Sequence, residues 1–160
     1  MPRKKRPKIS LAEKLRKIKK AGIENKQKLN HVVPDIDDIP ELNDRIAMIL
    51  NVFEHHKIKR NTMLFFVMYD IEDNKVRTQI AKYLIKKGCV RIQKSIYIAD
   101  QKPAIYREIH DTLREVQDIY DNKDSIILVP ISTDEMRAMK IIGENIDFDM
   151  SLGNKNTLFF

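Results

Sequence analysis

Apolar residues follow two different periods over the second part of the chain. Residues 63–69 form an uninterrupted apolar run that ends at Asp70, as in a strand buried on both faces. Downstream, apolar positions recur every three to four residues in helical segments and every second residue in strands. In chain order the pattern predicts a helix, a strand, a helix, a strand and a last strand, at residues 75–87, 89–99, 103–120, 124–131 and 146–150.

Residues that cap helices or break helices and strands support these boundaries: Asp73, Gly88, Pro103 and Pro130. The capping box Ser132-x-x-Glu135 predicts one more short helix. Pro130 confines its strand to an end or an edge of the sheet, because proline has no N–H to donate. Residues 89–99 alternate without any turn residue. They therefore predict one long or bent strand rather than a tight hairpin.

The order of these elements indicates an α+β fold. It matches the ferredoxin-like βαββαβ plan, in which helices cover one face of a mainly antiparallel sheet. The segment 89–99 stands where this plan has two strands. We therefore predict a ferredoxin-like domain over residues 63–160, with an extra C-terminal strand and a tail.

The first 62 residues predict a helical, basic extension in front of this domain. Residues 1–30 form a basic arm, in which a proline-containing leader precedes a short helix that starts at the Ser10-Leu-Ala-Glu13 capping box. Residues 31–62 hold a linker and a second helix at residues 41–56. The apolar stripe of that helix needs a partner surface: Leu42, Ile46, Ile49, Leu50 and Phe53.

The positive charge of the chain is concentrated in the arm. Residues 1–30 hold twelve Lys and Arg against two Glu, a net charge of +10. Residues 31–160 hold eighteen Lys and Arg against twenty-one Asp and Glu, a net charge of −3. This asymmetry predicts a polyanionic partner for the arm, with a solubilising tail as the alternative. The arm residues predicted to bind nucleic acid are Arg3, Lys4, Lys5, Arg6, Lys14 and Lys17.

Composition adds expectations about the environment of the protein. A lone cysteine, Cys89, excludes an internal disulfide and fits a reducing cytoplasm. The longest apolar runs, residues 63–69 and 126–129, are too short to span a bilayer, and no apolar signal segment follows the basic start. We expect a cytoplasmic protein without membrane association.

Two motifs of the predicted domain resemble a known family. Val67-Met-Tyr69-Asp70-Ile71-x-Asp73-x-Lys75-x-Arg77 precedes Gly88-x-x-Arg91-x-Gln93-Lys94-Ser95-Ile96-Tyr97. In order and spacing they resemble the CRISPR-associated endoribonuclease and spacer-acquisition family, the small ferredoxin-like partner of the CRISPR integrase. The chain departs from the family pattern in two ways. Tyr97 stands where a phenylalanine is usual, and residues 1–62 have no counterpart.

Asp70 is the candidate catalytic and metal-binding residue. A carboxylate just beyond a buried strand emerges at solvent, and Mg²⁺ prefers oxygen ligands. The resemblance implies a two-fold homodimer in which Asp70 of each copy lines a shared cleft and the pair holds one Mg²⁺. The alternative is that Asp70 caps the following turn, as Asp73 would cap the helix.

The same motifs supply further candidates. Arg77 and Arg91 match motif arginines, for which we expect phosphate binding. A set of lysines recurs at helical spacing and either follows a nucleic-acid backbone or forms a solvated face: Lys75, Lys82 and Lys86. The remaining motif positions are interpreted as structural: Tyr69, Gln93, Ser95 and Tyr97.

Two functions fit the resemblance. One is a homodimeric scaffold that binds duplex spacer-precursor DNA and bridges integrase dimers during CRISPR adaptation. The other is a Mg²⁺-dependent phosphodiesterase that cleaves RNA or DNA through the paired Asp70 residues. A ferredoxin-like endoribonuclease toxin with the same dimeric architecture is the alternative outside CRISPR.

Deleting residues 1–30 should flatten the salt dependence of duplex DNA binding while sparing folding and dimerisation. Each phosphate neutralised on duplex DNA contributes about 0.9 to the logarithmic salt slope through counterion release. Fluorescence anisotropy of a labelled duplex over a salt series measures that slope. An unchanged slope would assign the arm to a protein partner or to solubility.

Overall fold

The computed structural model describes residues 39–119, 123–143 and 146–150. The predicted arm and its capped helix lie outside these residues. The elements are α1 (Leu42–Ile58), β1 (Met63–Asp70), α2 (Asn74–Lys86), β2 (Val90–Gln93), β3 (Ile96–Gln101), α3 (Pro103–Gln117), β4 (Ser125–Ile131), α4 (Thr133–Ala138), β5 (Lys140–Gly143) and β6 (Ile146–Asp149). No helix in the described ranges is long and apolar enough to cross a membrane.

Four strands form an antiparallel sheet in the order β2, β3, β1, β4. β1 lies at the centre and pairs with β3 on one side and β4 on the other. β4 lies at an edge, as Pro130 predicted. With α2 and α3 connecting the strands, this is the ferredoxin-like α+β plan, and the predicted fold class is confirmed.

Most of the predicted capping signals operate as expected. The Asp73 carboxylate accepts hydrogen bonds from two backbone N–H groups of the first turn of α2. Ser132 and Glu135 form the predicted capping box of α4, and Pro103 occupies the first turn of α3. Gly88 follows α2 with φ +82, a left-handed conformation that favours glycine.

The first hydrophobic core lies between the sheet and the helices α2 and α3. Alternate side chains of β1 point into it, among them Phe65, Val67 and Tyr69. The helices contribute their predicted stripes, including Val76, Ile80, Tyr83 and Leu84 from α2 and Ile109, Leu113 and Val116 from α3. This core is the one that a ferredoxin-like plan requires.

A second core covers the opposite face of the sheet. Here α1 packs its stripe against the other side chains of the strands, so that Ile46, Ile49 and Phe53 of the helix meet Leu64 and Ile98. Residues from the C-terminal elements complete this core, among them Met136, Phe148 and Met150. The predicted helix 41–56 is therefore confirmed, and the surface that its stripe needs is the sheet itself.

The segment 89–99 forms a hairpin, and the predicted single strand is wrong. A two-residue turn at Lys94 and Ser95 joins β2 to β3. Gln93 faces Ile96 next to the turn, but Arg91 faces Tyr97 further out, so a β-bulge shifts the register by one residue. The bulge keeps even-numbered residues of both strands on one face. The alternation therefore continues through the turn and resembles that of one strand.

Hydrogen bonds from neighbouring strands stabilise this turn, which has no turn-forming residues. The Tyr69 N–H of β1 donates to the Ser95 carbonyl at 3.0 Å. The Arg91 Nη2 donates to the Lys94 carbonyl at 2.8 Å. One donor comes from the central strand β1 and the other from the adjoining strand β2, and neither is a turn-forming residue, which explains why the local sequence carries no turn signal.

The C-terminal elements differ from prediction in one respect. The predicted last strand exists as β6, but it pairs with β5, a strand that the sequence pattern did not predict. Four residues are too few to show a clear period, and β5 follows α4 after one residue.

Helix α3 ends at Gln117, before the predicted end at residue 120, which lies outside the described residues.

Polar contacts fix the C-terminal end of α1 to β3. The buried Asp100 carboxylate accepts a hydrogen bond from the His56 Nδ1 at 2.8 Å and forms an ion pair with Lys59 at 3.4 Å. Burial would raise the pKa of Asp100, but hydrogen bonds from Thr62 and His56 and the positive charges of His56 and Lys59 together lower it. The helix is thus attached by charge as well as by its apolar stripe.

Replacing Phe53 with alanine should destabilise the whole protein by about 3–5 kcal/mol, because the ring is buried against the sheet. The control Met48→Ala lies on the same helix and should cost less than about 1 kcal/mol, since Met48 is 36% exposed. Denaturant unfolding followed by circular dichroism measures both changes. Equal, small losses for the two variants would show that α1 is not part of the core.

Candidate functional site

Asp70 is the last residue of β1 and emerges from the sheet into solvent. It is exposed, whereas Tyr69 before it and Ile71 after it are buried. The alternation of β1 places Asp70 on the same face as Leu64, which is the face that α1 covers. The uninterrupted apolar run of β1 therefore determines where this carboxylate leaves the core.

An open groove of about 590 Å³ lies beside Asp70. Its walls are the ends of the four strands β1 to β4, the turn between β2 and β3, and the first turn of α1. The polar side chains lining it are Arg45, Asp70, Gln93, Lys94, Ser95 and Ser125. One carboxylate and two cations thus face a space open to solvent.

The Asp70 carboxylate makes no hydrogen bond or ion pair with another residue of the described ranges. Asp73 does cap α2, with its carboxylate 2.9 Å from the Lys75 N–H and 3.2 Å from the Val76 N–H. The two acidic residues therefore differ in role. Only Asp73 performs the capping that the alternative interpretation gave to both.

The described residues of one chain do not supply a full set of metal ligands. No group of three or more His, Cys, Asp and Glu side chains within residues 39–119, 123–143 and 146–150 is arranged to hold a metal ion. Mg²⁺ is commonly bound through one or two carboxylates together with water and substrate phosphate. Asp70 fits that pattern as one ligand, provided that phosphate oxygens or a second carboxylate complete the set.

The motif tyrosines form a buried pair on the opposite face of the sheet. The Tyr69 and Tyr97 hydroxyls are 3.2 Å apart, and their rings stack with centroids 5.9 Å apart. Burial raises the pKa of Tyr69, while its hydrogen bond with Tyr97 and the positive charges of Arg91 and Arg77 partly oppose that rise. The hydroxyl at position 97, which departs from the family pattern, thus has a partner in Tyr69.

Arg77 and Arg91 lie near this tyrosine pair and do not line the Asp70 groove. The Arg77 Nη2 donates to the Asn74 side chain, and its buried Nε has no hydrogen-bond partner among the described atoms. Arg91 supports the β2–β3 turn, as described above. Both arginines therefore act on the tyrosine pair, on the face opposite to Asp70, and neither lines the Asp70 groove.

The three candidate lysines of α2 are exposed at spacings of seven and four residues, which places them on one side of the helix: Lys75, Lys82 and Lys86. None forms an ion pair with another residue that the structure describes. The six candidate residues of the basic arm lie outside the described part of the chain.

Sequence reasoning missed both cations of the groove. Lys94 lies in the β2–β3 turn, which the alternation concealed. Arg45 is a half-buried residue on the first turn of α1, and its Nη1 donates to the Ile92 carbonyl at 3.3 Å. The position of Arg45 beside the apolar stripe did not indicate a site residue, because the sequence does not show which strand ends the helix crosses.

The nucleophilic side chains of the motif region do not suit covalent catalysis. Burial raises the pKa of the Cys89 thiol to about 12, so that it stays protonated near neutral pH. Ser95 contributes its backbone carbonyl to β1, and its side chain has no described base beside it. Asp70 thus remains the best candidate for chemistry in this region.

Comparison with known proteins agrees with this geometry. The family model of CRISPR associated protein Cas2 matches residues 63–139. A protein of Aeropyrum pernix, CRISPR-associated endoribonuclease Cas2, is 30% identical over 81 residues, covering 51% of this chain and 86% of that relative. This chain belongs to the Cas2 family. A CRISPR-associated endonuclease Cas1/endonuclease Cas2 fusion of Thermoproteus tenax is 39% identical over 51 residues, which cover 32% of this chain and 19% of the fusion.

The Cas2 match confirms the family resemblance that the two motifs indicated. It includes the core from β1 to α4, with Asp70, Arg77 and Arg91. Helix α1 and the hairpin of β5 and β6 lie outside it, yet both help to cover the sheet face on the side of Asp70. The part of the groove that Arg45 forms is therefore an addition to the matched Cas2 region.

Proposed function

We propose that this Cas2 family member acts in CRISPR adaptation as a homodimer that binds nucleic acid together with a Cas1 integrase. We further propose that Asp70 serves Mg²⁺-dependent cleavage of a phosphodiester bond. The observation that carries the proposal is the Asp70 carboxylate, exposed at the end of a buried strand, without a described partner, in a groove that also holds Arg45 and Lys94.

The groove has the charges that a phosphodiester substrate requires. Arg45 and Lys94 supply positive charge for the phosphate, and Asp70 supplies an oxygen ligand for a divalent cation. When bound, Mg²⁺ would polarise a phosphoryl oxygen and lower the pKa of a coordinated water. Asp70 of a second copy or the substrate phosphate would complete the ligand set. The name of the Aeropyrum pernix relative, an endoribonuclease, supports the nuclease part of the proposal.

Binding of a longer nucleic acid would use surfaces outside this groove. Lys75, Lys82 and Lys86 form an exposed row on α2 without described acidic partners, suited to a phosphate backbone. The net charge of +10 on residues 1–30 adds a second, sequence-independent attraction. A duplex spacer precursor is the substrate that we propose for these surfaces, and RNA is an alternative substrate for the cleavage reaction.

Association with an integrase is supported by the Thermoproteus tenax relative, in which Cas1 and Cas2 are one fused chain. We propose that a homodimer of this chain bridges two integrase dimers. The family match and both relatives are CRISPR-associated proteins. We therefore favour this role over the endoribonuclease toxin.

The sheet edges suit a homodimer. Helices α1, α2 and α3 and the C-terminal hairpin cover the two faces of the sheet, so that a second copy would pair at an edge. Within the described residues β4 pairs with β1 alone and β6 pairs with β5 alone. We propose that β6 of one copy extends the sheet of the other at β4, which would protect both edges from aggregation.

Replacing Asp70 with asparagine should abolish Mg²⁺-dependent cleavage and leave duplex binding intact. A metal ligand acts on the charged transition state, whereas affinity comes from dispersed cations. Cleavage of labelled RNA and duplex DNA, with and without Mg²⁺, measures activity, and fluorescence anisotropy measures binding.

The matched control for this variant is Glu72→Gln, which removes an exposed carboxylate two residues away that does not line the groove. It should cleave at the wild-type rate. Cleavage by Asp70→Asn at that same rate would contradict the proposed role of Asp70.

Replacing Ile127 with lysine should weaken the homodimer, because a charge on β4 disfavours pairing at this edge. Ile127 is 52% exposed on β4. The control Ile58→Lys changes an isoleucine that is 81% exposed at the end of α1, away from the sheet edge. Sedimentation velocity should show a dimer for the wild type and the control. A monomeric wild type at micromolar concentration would rule out the proposed dimer.

A further inference from the structure

The Asp70 groove includes a side chain from outside the matched Cas2 region. Arg45 lies on the first turn of α1, whereas the family match begins at residue 63. In the folded chain it lines the same groove as Asp70 and Lys94. A helix that precedes the Cas2 core thus contributes a permanent positive charge to the candidate site.

The position of this guanidinium is fixed by the structure around it. The Arg45 Nη1 donates to the Ile92 carbonyl at 3.3 Å. Ile46 and Ile49, on the same part of α1, are buried against the sheet. The far end of the helix is attached through the buried Asp100. Arg45 is therefore held at the groove before any ligand arrives, which reduces the entropy lost on binding.

The guanidinium also retains unused hydrogen-bonding capacity. Its buried Nε has no hydrogen-bond partner among the described atoms, and Arg45 forms no ion pair with a described carboxylate. Asp70 lines the same groove without pairing to it. An arginine that lines a groove without pairing to the carboxylate there keeps its charge available for an anionic ligand.

We propose that Arg45 binds the phosphodiester backbone of the nucleic acid in the Asp70 groove, so that helix α1 completes the substrate site of this protein. The inference rests on the function proposed for Asp70. Arg45 would hold non-bridging phosphate oxygens, with Lys94 as a second cation in the same groove. The competing explanation is that Arg45 only anchors α1 through the Ile92 carbonyl.

Two variants of the full-length chain separate these roles. Arg45→Gln keeps a side-chain donor for the Ile92 carbonyl and removes the charge, whereas Arg45→Lys keeps the charge and removes the planar guanidinium. Arg60→Ala is the control, because Arg60 is exposed and does not line the groove. The basic arm is present in every protein, so its contribution cancels in the comparison.

The readout is the affinity for a labelled duplex DNA and for a labelled single-stranded RNA over a salt series. Arg45→Gln should bind about tenfold more weakly. It should also reduce the logarithmic salt slope by about 0.9 on duplex DNA or about 0.7 on a single strand, and the larger relative loss identifies the preferred nucleic acid. Arg45→Lys should keep the slope, and Arg60→Ala should keep both values.

A second measurement on the wild-type chain does not depend on how the variants fold. Bound nucleic acid should protect Arg45, but not Arg60, from modification by phenylglyoxal, as read by mass spectrometry. A wild-type salt slope in folded Arg45→Gln, or an absence of protection at Arg45, would overturn the inference. Asp70→Asn keeps this test separate from the proposed function. Loss of cleavage in Asp70→Asn with an unchanged slope in Arg45→Gln refutes the role of Arg45 alone, whereas full cleavage in Asp70→Asn refutes the proposed role of Asp70.

Discussion

Burial of the central strand on both faces is the constraint on which the rest of this structure depends. β1 is apolar from Met63 to Tyr69, and each of its faces must be covered by another layer. The helices α2 and α3 cover one face, as the ferredoxin-like plan provides. The other face needs a second cover, and α1 with the C-terminal elements supplies it. The strand ends at Asp70, so the same constraint decides where a carboxylate reaches solvent.

The layer that α1 forms on the second face of the sheet extends the domain beyond the matched Cas2 region. The helix α1 precedes the family match, yet its stripe and its contacts with Asp100 make it part of the domain core. Asp100 is buried on β3, and its charge is balanced by His56 and Lys59 from the end of α1. A buried carboxylate without such partners would be strongly destabilising. The buried Asp100 on β3 therefore depends on α1 for the partners of its carboxylate.

The motif arginines and the motif carboxylate lie on opposite faces of the sheet. Arg77 and Arg91 accompany the Tyr69–Tyr97 pair on one face, and Asp70 opens to the other. The groove at Asp70 takes its cations from Lys94 in a turn and from Arg45 in α1. An account based on the family motifs alone would place all the basic residues around the carboxylate. The alternation of side chains along the strands prevents that arrangement.

The sequence by itself determined β1, the capping of α2 and α4 and the α+β fold, because each depends on a local pattern of residues. It also determined the edge position of β4, because Pro130 has no N–H to donate to a neighbouring strand. Motif spacing likewise indicated the family and made Asp70 the candidate site residue. Tertiary structure alone decided the turn at Lys94 and Ser95, since a bulge preserved the alternation and the Tyr69 N–H of the central strand bonds to the turn. It also decided that Arg45 lines the same groove as Asp70. A helix stripe shows that a partner surface exists, but only packing shows which strand ends the helix crosses.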